Sequence, residues 1–337
     1  MTEKSAQRFP FRSCRRDVLR FAATAVAGWP LAALSAAEKV RTVGILISLP
    51  STDRQPRLTK FIDDMAALGW VEGRSVRYDI RSTFGGLAVQ SRVVAEMVER
   101  KPDVIMVSST YETAAVMKAT RTIPIVFATA ADPVGNGFVQ SLARPGGNVT
   151  GFTNSDDAMG GKWLQFLTEL APRISRIGVL YNPRSVPLGG RYFIDPMREL
   201  APEFNVSLSD LRVSDAAQLD DLIGPFAREG AGGLLLPPDS FTVAHRARIV
   251  AAAARHAIPA IYPFRYFMDA GGLMSYGAEL EVRGADYVDL ILRGANPAEL
   301  PVQSPRKYEL LINRKVASTL GLTIPDVLML RANQIFE

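Results

Sequence analysis

Thr42-Val43-Gly44-Ile45-Leu46-Ile47-Ser48 is a short apolar run closed by a small hydroxyl. Arg176-Ile177-Gly178-Val179-Leu180-Tyr181-Asn182 repeats its form, with Gly178 standing where Gly44 stood. Phe61-Ile62-Asp63-Asp64-Met65 returns as Phe193-Ile194-Asp195-Pro196-Met197. Arg121-Thr122-Ile123-Pro124-Ile125-Val126-Phe127 returns, with one slip, as Arg255-His256-Ala257-Ile258-Pro259-Ala260-Ile261-Tyr262. Asp103-Val104-Ile105-Met106-Val107-Ser108-Ser109 is answered by Gly233-Leu234-Leu235-Leu236-Pro237-Pro238-Asp239. Solenoid units recur every 20–50 residues or so; this spacing is far longer, and four matches in one order fit two copies of a domain.

Around these runs the chain alternates short apolar segments with longer amphipathic ones, the pattern of βα units on a parallel sheet. The first half reads as strands at 41–47, 75–80, 103–107 and 124–127, with helices near 56–68, 87–100 and 111–120. In the second of these helices Val89, Val93, Val94, Met97 and Val98 recur at three and four, opposite Arg92, Glu96, Glu99 and Arg100. The second half reads as strands at 176–181, 206–211, 232–236 and 259–262, with helices near 159–170, 189–201, 215–228 and 241–256. The fold class expected is α/β: two similar doubly wound parallel-sheet lobes. The segments 143–153 and 271–277 look like crossings between them. The tail, with a helix at 282–293, the run 308–313 and a helix near 314–321, is expected to return to the first lobe. The boundaries are then 38–152 plus 278–337 for lobe 1 and 153–277 for lobe 2.

Hydrophobic residues make up 47% of the 337 and charged residues 22%, a globular composition. The net charge of +5 is concentrated before residue 38, where Lys4, Arg8, Arg12, Arg15, Arg16 and Arg20 face only Glu3 and Asp17. The remainder is nearly neutral and carries no basic stripe, which argues against a nucleic-acid partner. Arg15-Arg16-Asp17-Val18-Leu19-Arg20, the apolar stretch 21–34 and Ser35-Ala36-Ala37 resemble a twin-arginine export signal, cleaved before Glu38. The expected location is periplasmic. Cys14, the only cysteine, precedes that cleavage point, so the mature chain would lack any thiol or disulfide.

Ligands of open parallel sheets bind beyond the carboxyl ends of the strands. Those positions give Ser48, Ser108, Ser109, Thr110, Thr129 and Asp132 in the first copy, and Asn182, Asp239, Ser240 and the Tyr262–Phe264 region in the second. The crossings add Asn154, Ser155 and Tyr276. Hydroxyls, amides, two carboxylates and aromatics suit a polar small molecule held between lobes. The amides after Ser108 can hold a carboxylate, and Asp132 or Asp239 can pair with an amino group. The same residue types are ordinary helix N-caps, and Tyr276 and Phe264 are equally core residues. Glycine-rich nucleotide loops and the nucleophile elbow are missing. His245 and His256 fall too far apart along one helix to share a metal. No cofactor or metal is expected.

Several strings go further. Ala66-Ala67-Leu68-Gly69-Trp70-Val71-Glu72-Gly73-Arg74, Asp132-Pro133-Val134-Gly135, Leu142-Ala143-Arg144-Pro145-Gly146-Gly147-Asn148-Val149-Thr150-Gly151-Phe152 and Gly271-Gly272-Leu273-Met274-Ser275-Tyr276-Gly277 resemble the tryptophan/tyrosine-binding-protein-like family of ABC-transporter substrate-binding proteins. So do Arg121-Thr122-Ile123-Pro124 and Ile258-Pro259-Ala260-Ile261-Tyr262-Pro263. The resemblance spans nearly the whole chain. It implies a type I-like periplasmic-binding-protein fold with three crossings, and partners in an inner-membrane permease with its ATPase. It also implies a small, amino-acid-like ligand and no enzymatic activity. One departure is Ser109-Thr110-Tyr111-Glu112, where many members carry a Gly-Thr-Pro-Ala-like turn; it alters the pocket floor. Two other functions compete: a ligand sensor touching a membrane receptor, and a hydrolase or isomerase using Asp132 and Asp239 as acid and base.

Overall fold

Five apolar runs of the first half become strands β1 (Arg41–Ile47), β2 (Val76–Ser82), β3 (Val104–Val107), β4 (Ile125–Ala130) and β5 (Val149–Thr153). They lie in one parallel sheet, ordered β2-β1-β3-β4-β5. This computed structural model describes residues 39–337 apart from 49–50, 84–86, 155, 157 and 280–282. The export segment expected over 1–37 lies outside the described residues, as do Ser155 and the start of the tail helix at 282. Parallel neighbours need long crossovers, supplied here by α1 (Ser51–Ala67), α2 (Leu87–Glu99) and α3 (Thr110–Ala119). Leu58, Phe61 and Met65 of α1 cover one face of the sheet; Val94, Met97 and Val116 of α2 and α3 cover the other. All four residues of β3 are buried, as a central strand covered on both sides must be.

The second half runs α4 (Met159–Leu170), β6 (Arg176–Tyr181), α5 (Arg191–Leu200), β7 (Ser207–Arg212), α6 (Leu219–Arg228), β8 (Gly232–Leu235), α7 (Ser240–Ala244), α8 (Arg246–Arg255), β9 (Ala260–Tyr262), α9 (Arg265–Asp269) and β10 (Met274–Ala278). Its strands stand in the order β7-β6-β8-β9-β10, the first lobe's order strand for strand. The repeated glycine has a packing reason in both copies. A Cβ on Gly44 would lie 2.5 Å from the Met97 sulfur, and one on Gly178 2.6 Å from Leu211 Cδ1. The helix expected unbroken over 241–256 is two helices, parted at His245, whose φ/ψ of −105°/17° is not helical.

The tail, expected in the first lobe, divides. Its helix α10 (Ala285–Leu292) does pack there: Val288, Ile291 and Leu292 share a core with Val43 and Phe61. Asp289 also accepts the Trp70 indole N–H at 2.7 Å. Residues 302–303 then run beside β5, Gln303 N–H donating to the Gly151 carbonyl at 3.0 Å and Thr153 N–H to that of Gln303 at 2.9 Å. From there the chain enters the second sheet. Strand β11 (Tyr308–Asn313) pairs antiparallel with β10, and after α11 (Arg314–Thr319) and α12 (Asp326–Arg331), β12 (Gln334–Phe336) pairs parallel with β11. The second sheet thus has seven strands and is mixed, not purely parallel. The edge of β10 would otherwise present unpaired backbone groups, which β11 takes up.

Trp163 of α4 is fully buried, 5.4 Å from the Phe193 ring, and donates its indole N–H to the Tyr276 carbonyl at 2.7 Å. Trp163→Phe keeps an aromatic ring and orphans that carbonyl. It is expected to lower stability by about 1–2 kcal/mol, seen as a lower urea midpoint at an unchanged slope.

Candidate functional site: a cleft between the lobes

The carboxyl ends of both sheets face one cleft, with walls drawn from each lobe. From the first lobe come Ser48 after β1, Ser108 to Tyr111 after β3, and Thr129 of β4. From the second come Ser185, Asp239 and Ser240, Phe264 and Tyr266. Asn154, in the crossing between β5 and α4, lines the cleft as well.

The first-lobe wall is built on a buried carboxyl. Glu112, fully shielded from solvent, accepts hydrogen bonds from the Thr83 hydroxyl, the Ser108 N–H at 2.8 Å, the Ser108 hydroxyl at 2.7 Å and the Ser109 hydroxyl at 3.2 Å. Burial raises its pKa, against the pull of those donors. Ser109 caps α3 by accepting the Glu112 N–H at 3.2 Å. Two further hydroxyls fix the wall: Thr129 donates to the Ser108 carbonyl at 2.7 Å, and Thr110 accepts the Ala131 N–H at 2.9 Å. The wall hydroxyls are therefore held in place from behind. The first turn of α3 leaves backbone N–H groups without intrahelical acceptors, an arrangement that favours an anion.

Across the cleft, Asp239 is the one carboxylate on the wall among the described residues. It caps α7 by accepting the Phe241 N–H at 2.9 Å, and it also accepts the Asn182 N–H at 2.9 Å and the Ser185 hydroxyl. Burial pushes its pKa up to about 6, outweighing those three donors. As pH falls, the folded protein therefore takes up this proton before the unfolded chain does. The stability tied to Asp239 is fully present below the ordinary value of 3.8 and is lost as pH rises through about 6. Compared with Asp239→Asn, the wild type is expected to lose stability between those limits. Urea midpoints measured across the range test this, and parallel curves would refute it.

Of the residues picked from strand ends and crossings, Ser48, Ser108, Ser109, Thr110, Thr129, Asn154, Asp239, Ser240 and Phe264 are brought together here. Asp132, Asn182 and Tyr276 are not. Asp132 adopts φ 43° and turns its carboxylate onto the Gly135 N–H of its own loop, 2.8 Å away. Asn182 sits behind Asp239, its side-chain oxygen accepting the Arg184 N–H at 2.9 Å. Tyr276 packs into the second-lobe core, 4.9 Å from the Phe166 ring and 5.9 Å from Tyr308. Asp132 and Asp239 therefore do not face each other as an acid–base pair. Among the described residues no group of three His, Cys, Asp or Glu side chains is placed to hold a metal.

Four wall residues escape a reading confined to strand ends. Arg57 lies in α1 and Val243 in α7, Ser185 lies in the loop after β6, and Tyr266 lies in the five-residue α9. Tyr111, singled out only as a departure in the turn after β3, has its hydroxyl shut from solvent on the cleft wall, and so does the Asn154 side-chain oxygen. Neither atom has a hydrogen-bond partner among the described residues.

Residues 42–336 match the model of a family described as ABC transporter substrate binding protein. A tyrosine-binding protein of Clostridioides difficile (strain R20291) is 26% identical over 290 residues, 85% of this chain and 82% of the relative. A conserved domain protein of Vibrio cholerae has a similar structure, with a TM-score of 0.81 at 26% identity, covering 88% of this chain and 100% of that one. An ABC domain from Streptococcus pneumonia in complex with L-Trp superposes with a TM-score of 0.80 at 21% identity, over the same shares.

Proposed function

The chain belongs to the ABC transporter substrate-binding protein family, and on that footing we propose that its cleft captures a small, polar, amino-acid-like solute. Substrate-binding proteins of this family are not enzymes; they hold a small ligand between two lobes. We further propose that this one is exported on residues 1–37 by the twin-arginine route and hands its solute to a membrane permease and its ATPase. The units of closure would be 38–152 with 278–303, and 153–277 with 304–337.

The observation that carries the reading is the pairing of groups across the cleft. The α3 N-terminus with Ser108, Ser109, Thr110 and the Arg57 guanidinium suits a carboxylate. The Asn154 oxygen, without a hydrogen-bond partner among the described residues, and Asp239 suit an amino group. Tyr111, Phe264 and Tyr266 supply apolar rings, the two tyrosines with polar tips. The relative named for tyrosine points to the same solute class.

Thermal melting of the purified chain from Glu38, against amino acids, small carboxylates, amines and sugars, tests this. A solute at a hundred times its dissociation constant adds roughly 2.7 kcal/mol, a shift of a few degrees. The expected hits carry both a carboxylate and an amino group. Hits confined to sugars, or a panel with no aminated carboxylate among its hits, would overturn it. With a hit in hand, Asn154→Ala is expected to weaken binding roughly tenfold, the effect of one hydrogen bond of about 1.4 kcal/mol. Titration calorimetry checks that figure.

A further inference from the structure

Helix α1 presents Asp53 and Arg57 four residues apart, hence on one face. Both reach second-lobe side chains. One guanidinium nitrogen of Arg246 donates to an Asp53 carboxylate oxygen at 3.0 Å and lies 2.9 Å from the other, and the Asp53 and Arg246 side chains keep only 13% and 19% of their exposure. The Arg57 guanidinium lies 5.3 Å over the Tyr266 ring, and that of Arg246 lies 5.8 Å from the same ring. Two cations on one ring would repel each other; Asp53, paired with one of them, offsets that. Arg57 and Tyr266 line the ligand cleft, whereas Asp53 and Arg246 do not.

We propose that Asp53, Arg246 and Tyr266 form an interlobe clasp, which holds the lobes shut in the absence of solute and sets Arg57 on the cleft wall. Each is a positioning residue for capture: Asp53 and Arg246 bind the lobes to each other, and the Tyr266 ring orients Arg57. The ion pair is more shielded than the exposed pairs whose contribution is near zero, and its charges are reinforced by cation–π contacts on the same ring. The apparent affinity of a protein whose competent form is only partly populated falls with that fraction. Loosening the clasp therefore weakens capture without removing any group from the wall.

The clasp rests on the cleft between the lobes being the solute site, and its test is read without solute. Spin labels go on one exposed residue of each lobe, Glu99→Cys and Glu203→Cys, in a Cys14→Ser background. Electron–electron distance distributions are recorded for the ligand-free protein. The wild type is expected to show a short-distance population that Asp53→Ala and Arg246→Ala each reduce roughly fivefold. The charge-swapped double variant Asp53→Arg/Arg246→Asp should restore it, which a merely local loss of packing would not do. Should Arg246→Ala fail to fold, Arg246→Gln takes its place. A population unchanged in both single variants, absent from the wild type, or not regained by the swap overturns the clasp. Failure of the solute reading appears separately, as a melting panel without aminated carboxylates among its hits, and leaves these distances untouched.

Discussion

Glu112→Ala is expected to cost about 3–5 kcal/mol, more than truncating any side chain on the wall of the cleft. Three hydroxyls and one backbone N–H converge on its carboxyl, at a point with no exposure to solvent. Truncation leaves the buried Thr83 hydroxyl and the half-buried Ser108 donors without that acceptor, and an orphaned buried donor costs about 1–3 kcal/mol. A second effect is local. Ser108 and Ser109 are held by this carboxyl, so their release also blurs the wall that faces the solute. Burial raises the Glu112 pKa, so a neutral amide of similar shape should be tolerated better. The expected order of stability is wild type, then Glu112→Gln, then Glu112→Ala, measured by urea unfolding. A loss under 1 kcal/mol for the alanine variant would show that the network is not what fixes the wall.

Gly151→Ala is expected to be as damaging, about 3 kcal/mol or more, through the backbone alone. Gly151 lies on β5, opposite Phe127 of β4, with φ at 149°. A methyl group there would come within 2.1 Å of the Phe127 carbonyl oxygen and 2.7 Å of its nitrogen. Neither atom belongs to a side chain that can swing away, so the strand pair itself must part. Gly277 on β10 repeats the situation, with a Cβ placed 1.9 Å from the Pro263 carbonyl oxygen. Melting temperatures of both alanine variants check this; a Gly151 variant that melts within a degree of wild type would contradict it.

The lobes were legible in the sequence because each central strand is a continuous apolar run, and because the second copy repeats the first with its glycine in place. The segments 159–170 and 176–181 have the same limits in the structure. What escaped notice is short or non-local. Helix α9 has five residues and β12 three, too few for a period to show. The pairing of β11 with β10 depends on an open sheet edge, which no local pattern announces. The strand-end rule placed Ser48, Ser108 and Asp239 on the cleft wall, because backbone topology alone brings them there. It failed for Asp132, whose short carboxylate closes a turn within its own loop. It also could not find Arg57, whose place on the wall depends on which face of α1 meets Tyr266.

The division of the tail between the lobes bears on how the chain acquires its fold. Core residues Val288 and Ile291 complete the first lobe, and Leu310 and Ile312 complete the second. Neither lobe is finished until residues near the carboxyl terminus have arrived. The contacts that close both cores join segments far apart along the chain, which raises contact order and slows the search. The two halves are accordingly expected to complete their cores together, not as one repeat and then the other.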